Sequence, residues 1–360
     1  MAGLALGSDE DREERQVRDE KRSRPDRRLE QLIGQVLVTS FEGTEPPPYL
    51  LRQLTAGEIA GVVLFGRNVG SAGRLRALTA RLGRAAGGDA LVLVDQEGGE
   101  IRNVPFAGPQ PPQPEQGDPG SVRSLMSSSA RELRAAGVNV NLAPVLDVAG
   151  PEGSVVAGRA YAGGPEEVSR AGRSALEGMR AGRVAATAKH FPGLGRAGEN
   201  TDDAPVTITA SHEELERTDL APFRVAIAAG APLVMASHAV YPALDRRNIA
   251  SQSQTILDDL LRRRLGFRGA VLTDSIEAEA VLRRSSVAAA AERSLLAGAD
   301  LVLMTGSGTW KLVYPHLLRR AGRSPPLRRA IARSAARVVD LKRELGLRSV
   351  SAGDRLGAAR

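Results

Sequence analysis

The sequence predicts an α/β fold, a single-domain (β/α)8 barrel of the TIM type, from three observations. Eight short apolar runs recur along the chain, at residues 35–39, 61–65, 90–94, 138–142, 184–188, 233–237, 269–273 and 300–304. Each run closes in a polar or glycine-containing turn. A helix-length segment then follows, with Leu and Ala on one face and Arg or Glu on the other. Unbroken apolar runs suit strands buried on both faces. Strands alternating with helices build a parallel sheet, and eight such units can close into a barrel.

Residues 1–28 carry dense charge and no apolar periodicity, so they are expected to be disordered. The barrel is expected over 29–347, within the length such folds take. Residues 211–229 and 255–265 show helical periodicity. The Pro-rich stretch 105–119 reads as a loop, because strands continue on both sides of it. Segments 311–320 and 327–344 read as closing helices, and 348–360 as a flexible tail.

Composition removes several function classes. There is no Cys, which excludes disulfides, thiol nucleophiles and Cys-based metal sites. The net charge is +7, from 45 Arg and 4 Lys against 42 acidic residues. The Arg residues are spread over many helices with no interleaved aromatics, so no nucleic-acid partner is expected. No apolar stretch is long enough to span a membrane. The N-terminus lacks a basic start, a long apolar middle and a cleavage site, so a cytoplasmic location is expected as the sequence is written. A different start of translation would reopen a secreted or envelope location. The oligomeric state is not legible.

In a barrel of this kind, catalytic groups sit at the C-terminal ends of the strands. Asp274 follows the seventh run, as a carboxylate aimed into the barrel mouth or as a helix N-cap. Lys189 and His190 follow the fifth run. A Lys there needs a ligand hydroxyl or a carboxylate partner. Asp95 follows the third run in a Gly-rich turn and suits a pair of sugar hydroxyls, while Glu97 beside it reads as a turn-stabilising acceptor. His190 and His238 lack the spacing of a metal set, and no phosphate or dinucleotide loop is present, so neither metal nor cofactor is expected.

The strings at 94–99 (VDQEGG), 142–147 (LAPVLD), 158–161 (GRAY), 189–193 (KHFPG), 237–238 (SH) and 272–274 (LTD) resemble glycoside hydrolase family 3, and its single-domain bacterial β-N-acetylhexosaminidase branch most closely. The resemblance spans about residues 29–345. It implies a retaining hydrolase of β-linked sugars working through a covalent glycosyl-enzyme, with no cofactor. N-acetylglucosamine, often from cell-wall fragments, is the implied sugar. Asp274 matches the nucleophile. Asp95, Arg159, Lys189 and His190 match sugar-binding positions, and His238 a residue of the site wall.

Two departures stand out. In that branch an Asp-Ser-His string on the loop after the KHFPG string supplies the general acid/base. Here the loop is longer, Asp202 aligns with the family Asp, and Ala204 falls at the His. Also, the Arg that follows the DQEGG string is displaced to Arg102. Three readings follow. A loop carboxylate (Glu199, Asp202 or Asp203) takes over the acid role, unless Asn200 to Asp202 is merely an Asx turn, or only substrates with good leaving groups are cleaved. Alternatively the barrel binds sugar without turnover. A phosphorylase, using Arg196 to hold phosphate, is the third.

Overall fold

The computed structural model describes residues 26–150 and 153–348. Its centre is a closed barrel of eight parallel strands: β1 (Leu37–Thr39), β2 (Gly61–Leu64), β3 (Leu91–Val94), β4 (Val140–Asn141), β5 (Ala185–Phe191), β6 (Leu233–Ala236), β7 (Ala270–Ser275) and β8 (Leu301–Leu303). They follow chain order around the barrel, and β8 closes on β1 with Leu37 opposite Val302. Each strand overlaps the apolar run that predicts it. β5 continues to Phe191 and β7 to Ser275, which carries Lys189, His190 and Asp274 on strand backbone.

Alternation along the strands explains the continuous runs. Val63, Leu91, Leu93, Val140, Leu233, Met235, Leu272, Leu301 and Leu303 pack together inside the barrel. Their neighbours Val62, Leu64, Val92, Val94, Val234, Val271 and Val302 face the helices. Both faces are therefore apolar. Val338 and Leu341 from the helix Pro325–Glu344 join the interior cluster and plug the end opposite the site. At Gly61 the strands come so close that a Cβ would lie 2.2 Å from the Leu91 carbonyl oxygen, and only glycine fits.

The first helix, Arg27–Gly34, takes in Arg27 and Arg28, which the charge pattern assigns to the preceding segment. Its Asp26 side chain caps the Leu29 amide. Residues 1–25 and 349–360, expected as disordered segment and tail, lie outside the described residues. The expected helix at 211–229 is present with a π-helical middle, Leu215–Asp219, and Thr255–Arg264 is π-helical throughout. Trp310–Ala321 and Pro325–Glu344 are the closing helices. Residues 105–119 form an extended loop with one short turn of helix before Pro119–Ala135 begins. Among the described residues, no helix is long and apolar enough to cross a membrane.

One buried charge ties the lower end of the barrel. Asp300, just before β8, has a fully buried side chain that accepts from Arg262, from Arg337 Nη1 at 3.0 Å and from the Val271 amide at 2.8 Å. Asp300→Ala would leave Arg262 buried without its partner, at a cost of about 3–5 kcal/mol. The Arg337 side chain is 31% exposed, and Arg337→Ala should cost less than about 1 kcal/mol. Urea unfolding of the two variants tests this, and near-equal midpoints would remove the assignment.

Candidate active site

The upper ends of β3, β4 and β5 meet in a buried ionic cluster. The Lys189 ammonium lies 2.7 Å from Asp95 Oδ1 and 2.6 Å from Glu97 Oε1. Arg159, on the connection after β4, grips Glu97 with two bonds, Nη2 to Oε1 at 2.7 Å and Nε to Oε2 at 2.9 Å. Glu97 is thus the centre of the cluster and more than a turn acceptor. Burial alone would raise its pKa, but Lys189 and Arg159 prevail and lower it to about 2. Burial disfavours the Lys189 charge too, and Asp95 with Glu97 outweighs it, so its pKa is raised. Lys189 is 2% exposed, whereas the Asp95 side chain keeps 22% of its surface open at the cavity.

Both Lys189 and His190 reach the mouth, where the register of β5 against β6 shifts between Ala188 and Phe191. His190 Nδ1 stands 2.7 Å from Asp147 Oδ2. A carboxylate there fixes the proton on Nδ1 and leaves Nε2 for the cavity. The other Asp147 oxygen accepts the amides of His190 at 3.2 Å and Leu194 at 2.6 Å. Asp147 closes one of the recognised strings, and its orienting role has no local sequence signal.

Asp274 lies inside β7 and caps no helix. Its Oδ1 accepts the amide of Ser275 at 2.8 Å. Burial would push its pKa up, yet His190, His238, the Ser275 amide and Lys189 hold it below the ordinary carboxylate value. His238 does not line the cavity. Its Nδ1 meets Ser251 Oγ at 2.7 Å and its Nε2 meets the Ser275 carbonyl at 2.8 Å, so both ring nitrogens are used within the protein. Burial lowers its pKa. His238 therefore supports the strand end that carries Asp274 and has no nitrogen left for a sugar.

All three loop carboxylates are exposed, and of the three only Asp202 lines the cavity. Ala204 lies outside it as well. Asn200 Oδ1 accepts the Asp202 amide at 3.1 Å, so an Asx turn is present, and the Asn200 side chain also meets the Asp202 carboxyl, which favours its ionised form. Asp202 keeps a solvent-exposed flank. Desolvation by the cavity wall, then the charge of Asp274, with a smaller contribution from Asp203, raises its pKa to about 6 against the opposing pull of His190.

The loop is tethered along its length. Gly195 O accepts from Gly150 N at 2.7 Å, and a Cβ at Gly195 would lie 1.8 Å from the Val148 carbonyl oxygen. Arg196 is outside the cavity, bonded through Nε to Asp219 Oδ2 at 3.2 Å and paired with Glu214 at 3.8 Å. It is not placed to hold phosphate at the site.

The cavity holds about 750 Å³ and rests on Val63, Met235 and Leu303, the top layer of the barrel interior. That volume suits a small-molecule site. Arg102 does not line it. The residue lies on the short antiparallel ribbon Gln96–Gly98 with Ile101–Arg102, and its guanidinium turns to Pro105 O and Gln110. Arg67 is the arginine at this wall, 4.4 Å above the Phe65 ring and 3.0 Å from Glu42. Asn103 spans the same wall, accepting from Gly66 N at 2.8 Å and donating to Asp95 O at 2.9 Å. Glu277 accepts the amides of Thr305 at 3.1 Å and Gly306 at 3.0 Å. Sequence reasoning passes over Arg67, Asn103 and Glu277, since each acts through partners remote in the chain. Among the described residues, no cluster of three or more His, Asp or Glu is arranged to hold a metal.

Comparison with known proteins places the family and the fold. Residues 28–341 match the family described as Glycosyl hydrolase family 3 N terminal domain. An Arthroderma benhamiae protein described as an uncharacterized secreted glycosyl hydrolase is 36% identical over 287 residues, 76% of this chain and 81% of its own. A family 3 β-N-acetylglucosaminidase of Paenibacillus sp. superposes with a TM-score of 0.84 at 34% identity, over 88% of this chain and 62% of that longer one. The β-N-acetylhexosaminidase of Beutenbergia cavernae gives a TM-score of 0.81 at 31% identity, over 87% of this chain and 98% of that one. The chain belongs to glycosyl hydrolase family 3, as a glycosidase on a single (β/α)8 barrel.

Proposed function

We propose that the protein hydrolyses terminal β-linked N-acetylglucosaminides with retention, using Asp274 as nucleophile and Asp202 as general acid and base. One observation carries this reading: two carboxyls face one cavity and their environments push their pKa values apart. Such divergence is how one site keeps an anion and an acid side by side. Asp274 attacks the anomeric carbon as the bond to the leaving oxygen breaks, and Asp202 gives its proton to that oxygen. Asp202, now a carboxylate, takes a proton from water. The water oxygen attacks the anomeric carbon and releases Asp274. Asp95, Lys189, His190 and Arg159 line the cavity as the sugar-binding wall. The acetamido sugar is supported by two similar enzymes, a β-N-acetylglucosaminidase and a β-N-acetylhexosaminidase. Oligosaccharide fragments of cell-wall type, met in the cytoplasm, are the proposed source.

Asp274→Asn should abolish turnover of an aryl β-N-acetylglucosaminide and the covalent adduct formed by a fluorinated glycoside. Undiminished hydrolysis by that variant would remove the nucleophile. Asp202→Asn should lose about 10²–10⁴-fold in kcat/KM on substrates with poor leaving groups, and far less on activated ones. Equal losses on both would exclude an acid role.

The pH profile has a definite sign. Asp202 must be protonated in the free enzyme, so kcat/KM should fall as pH rises through about 6. Asp274 must be ionised, and its lowered pKa keeps the acid limb below the usual carboxylate range. A basic limb that Asp202→Asn leaves unmoved would assign it to another group.

A further inference from the structure

The loop bearing Asp202 is held at its tip by the segment that follows the other catalytic carboxylate. Glu279 N donates to the Asp202 carbonyl at 3.0 Å, and Ala280 N donates to the Thr201 carbonyl at 3.1 Å. These are the first two residues of the short helix Glu279–Leu282. Amides at a helix start have no partner within the helix. Here they go to the loop and not to solvent: Thr201 and Ala280 are each 1% exposed.

The donor segment is itself fixed. Ile276 N donates to Leu303 O at 3.1 Å and Ala278 N to Ser275 O at 3.1 Å. Glu277 clasps the Thr305 and Gly306 amides at the end of β8, and Ser275 Oγ lies 3.2 Å from the same carboxylate. A rigid stretch of backbone therefore begins at Asp274, is braced on β8 and ends on the carbonyl of Asp202. Asn200 fixes the Asp202 amide on the other side.

We infer that Glu279 and Ala280 are positioning residues, whose backbone amides set where the Asp202 carboxyl stands relative to Asp274. This rests on the reading of Asp202 as the acid. It adds that the spacing of the two carboxyls comes from β7 and its extension, and not from the Gly-containing loop alone. The Glu279 side chain is not needed for this. It pairs at the surface with Arg283 at 2.8 Å.

Glu279→Pro is the selective test. Proline suits the first position of a helix. Ala278 before it is already extended, at φ −56° and ψ 141°, as a residue preceding proline must be. The substitution removes one donor and puts a ring carbon where the N–H points at Asp202. Glu279→Ala is the control, since it keeps the amide and loses only the surface pair. Both are assayed, with Asp202→Asn, on β-N-acetylglucosaminides whose leaving groups range from dinitrophenyl to alkyl.

Glu279→Pro should lose about 10–10²-fold in kcat on alkyl leaving groups, within the range of a displaced acid, with KM little changed. It should lose less than about threefold on dinitrophenyl, where no proton is needed. Its basic pH limb should shift, and Glu279→Ala should track the wild type. A wild-type response to leaving group, or an equal loss across the series, would overturn the inference. If Asp202→Asn shows no leaving-group dependence, the acid assignment fails and this inference falls with it. Should Glu279→Pro fail to fold, hydrogen exchange on the wild-type enzyme decides. The Glu279 and Ala280 amides should be protected, and exchange at the rate of open solvent would refute the clamp.

Discussion

The site depends on keeping a cation out of water at the mouth of the barrel. Lys189 is buried, and a lone ammonium there would cost too much to persist. It persists because Asp95 and Glu97 meet it from the turn after β3, and because Arg159 shares Glu97 from the connection after β4. Removing any one of these would leave the buried cluster out of balance by one charge. The same interaction thus orders three successive strand ends and points Asp95 at the cavity. It also reaches Asp274, since Lys189 is among the charges that keep that carboxyl ionised in spite of its burial.

A second layer of order comes from backbone. Asp147 collects two amides and His190, Glu277 collects two amides across to β8, and Asn200 turns the loop beneath Asp202. None of these three carboxylate and amide side chains is proposed to touch the reacting atoms. Each fixes the backbone beneath a side chain of the cavity, and such accuracy of placement is what the proposed reaction asks of its scaffold.

This layering explains what was legible in the sequence. The eight strands show because each is apolar on both faces, a pattern written in consecutive residues. The polar residues that follow them show because strand ends must open on the mouth. Side-chain direction does not show. Arg102 follows the DQEGG string closely, yet the ribbon that carries it turns it to Gln110, and Arg67 from β2's turn lines the wall instead. His238 sits beside a strand end, yet Ser251 and the Ser275 carbonyl take both its nitrogens. Counting along the loop pairs Ala204 with the family His. Of the loop carboxylates it is Asp202 that lines the cavity, and its backbone carbonyl is held by the amide of Glu279, far along the chain.

The electrostatics also suit a group that must act twice. After burial, the charge on Asp274 is the main reason why Asp202 holds its proton to about pH 6. On the proposed path, Asp274 loses that charge when it bonds to the sugar. The repulsion then vanishes while His190, which favours the ionised form of Asp202, stays in place. The Asp202 pKa must fall in the covalent intermediate. A residue that begins the cycle as an acid therefore enters the second step as a carboxylate, ready to take a proton from water. No movement of the loop is required for this change. On the proposed path the covalent bond itself would switch the neighbour, while the loop bonded to the segment after Asp274 would hold the two carboxyls in register.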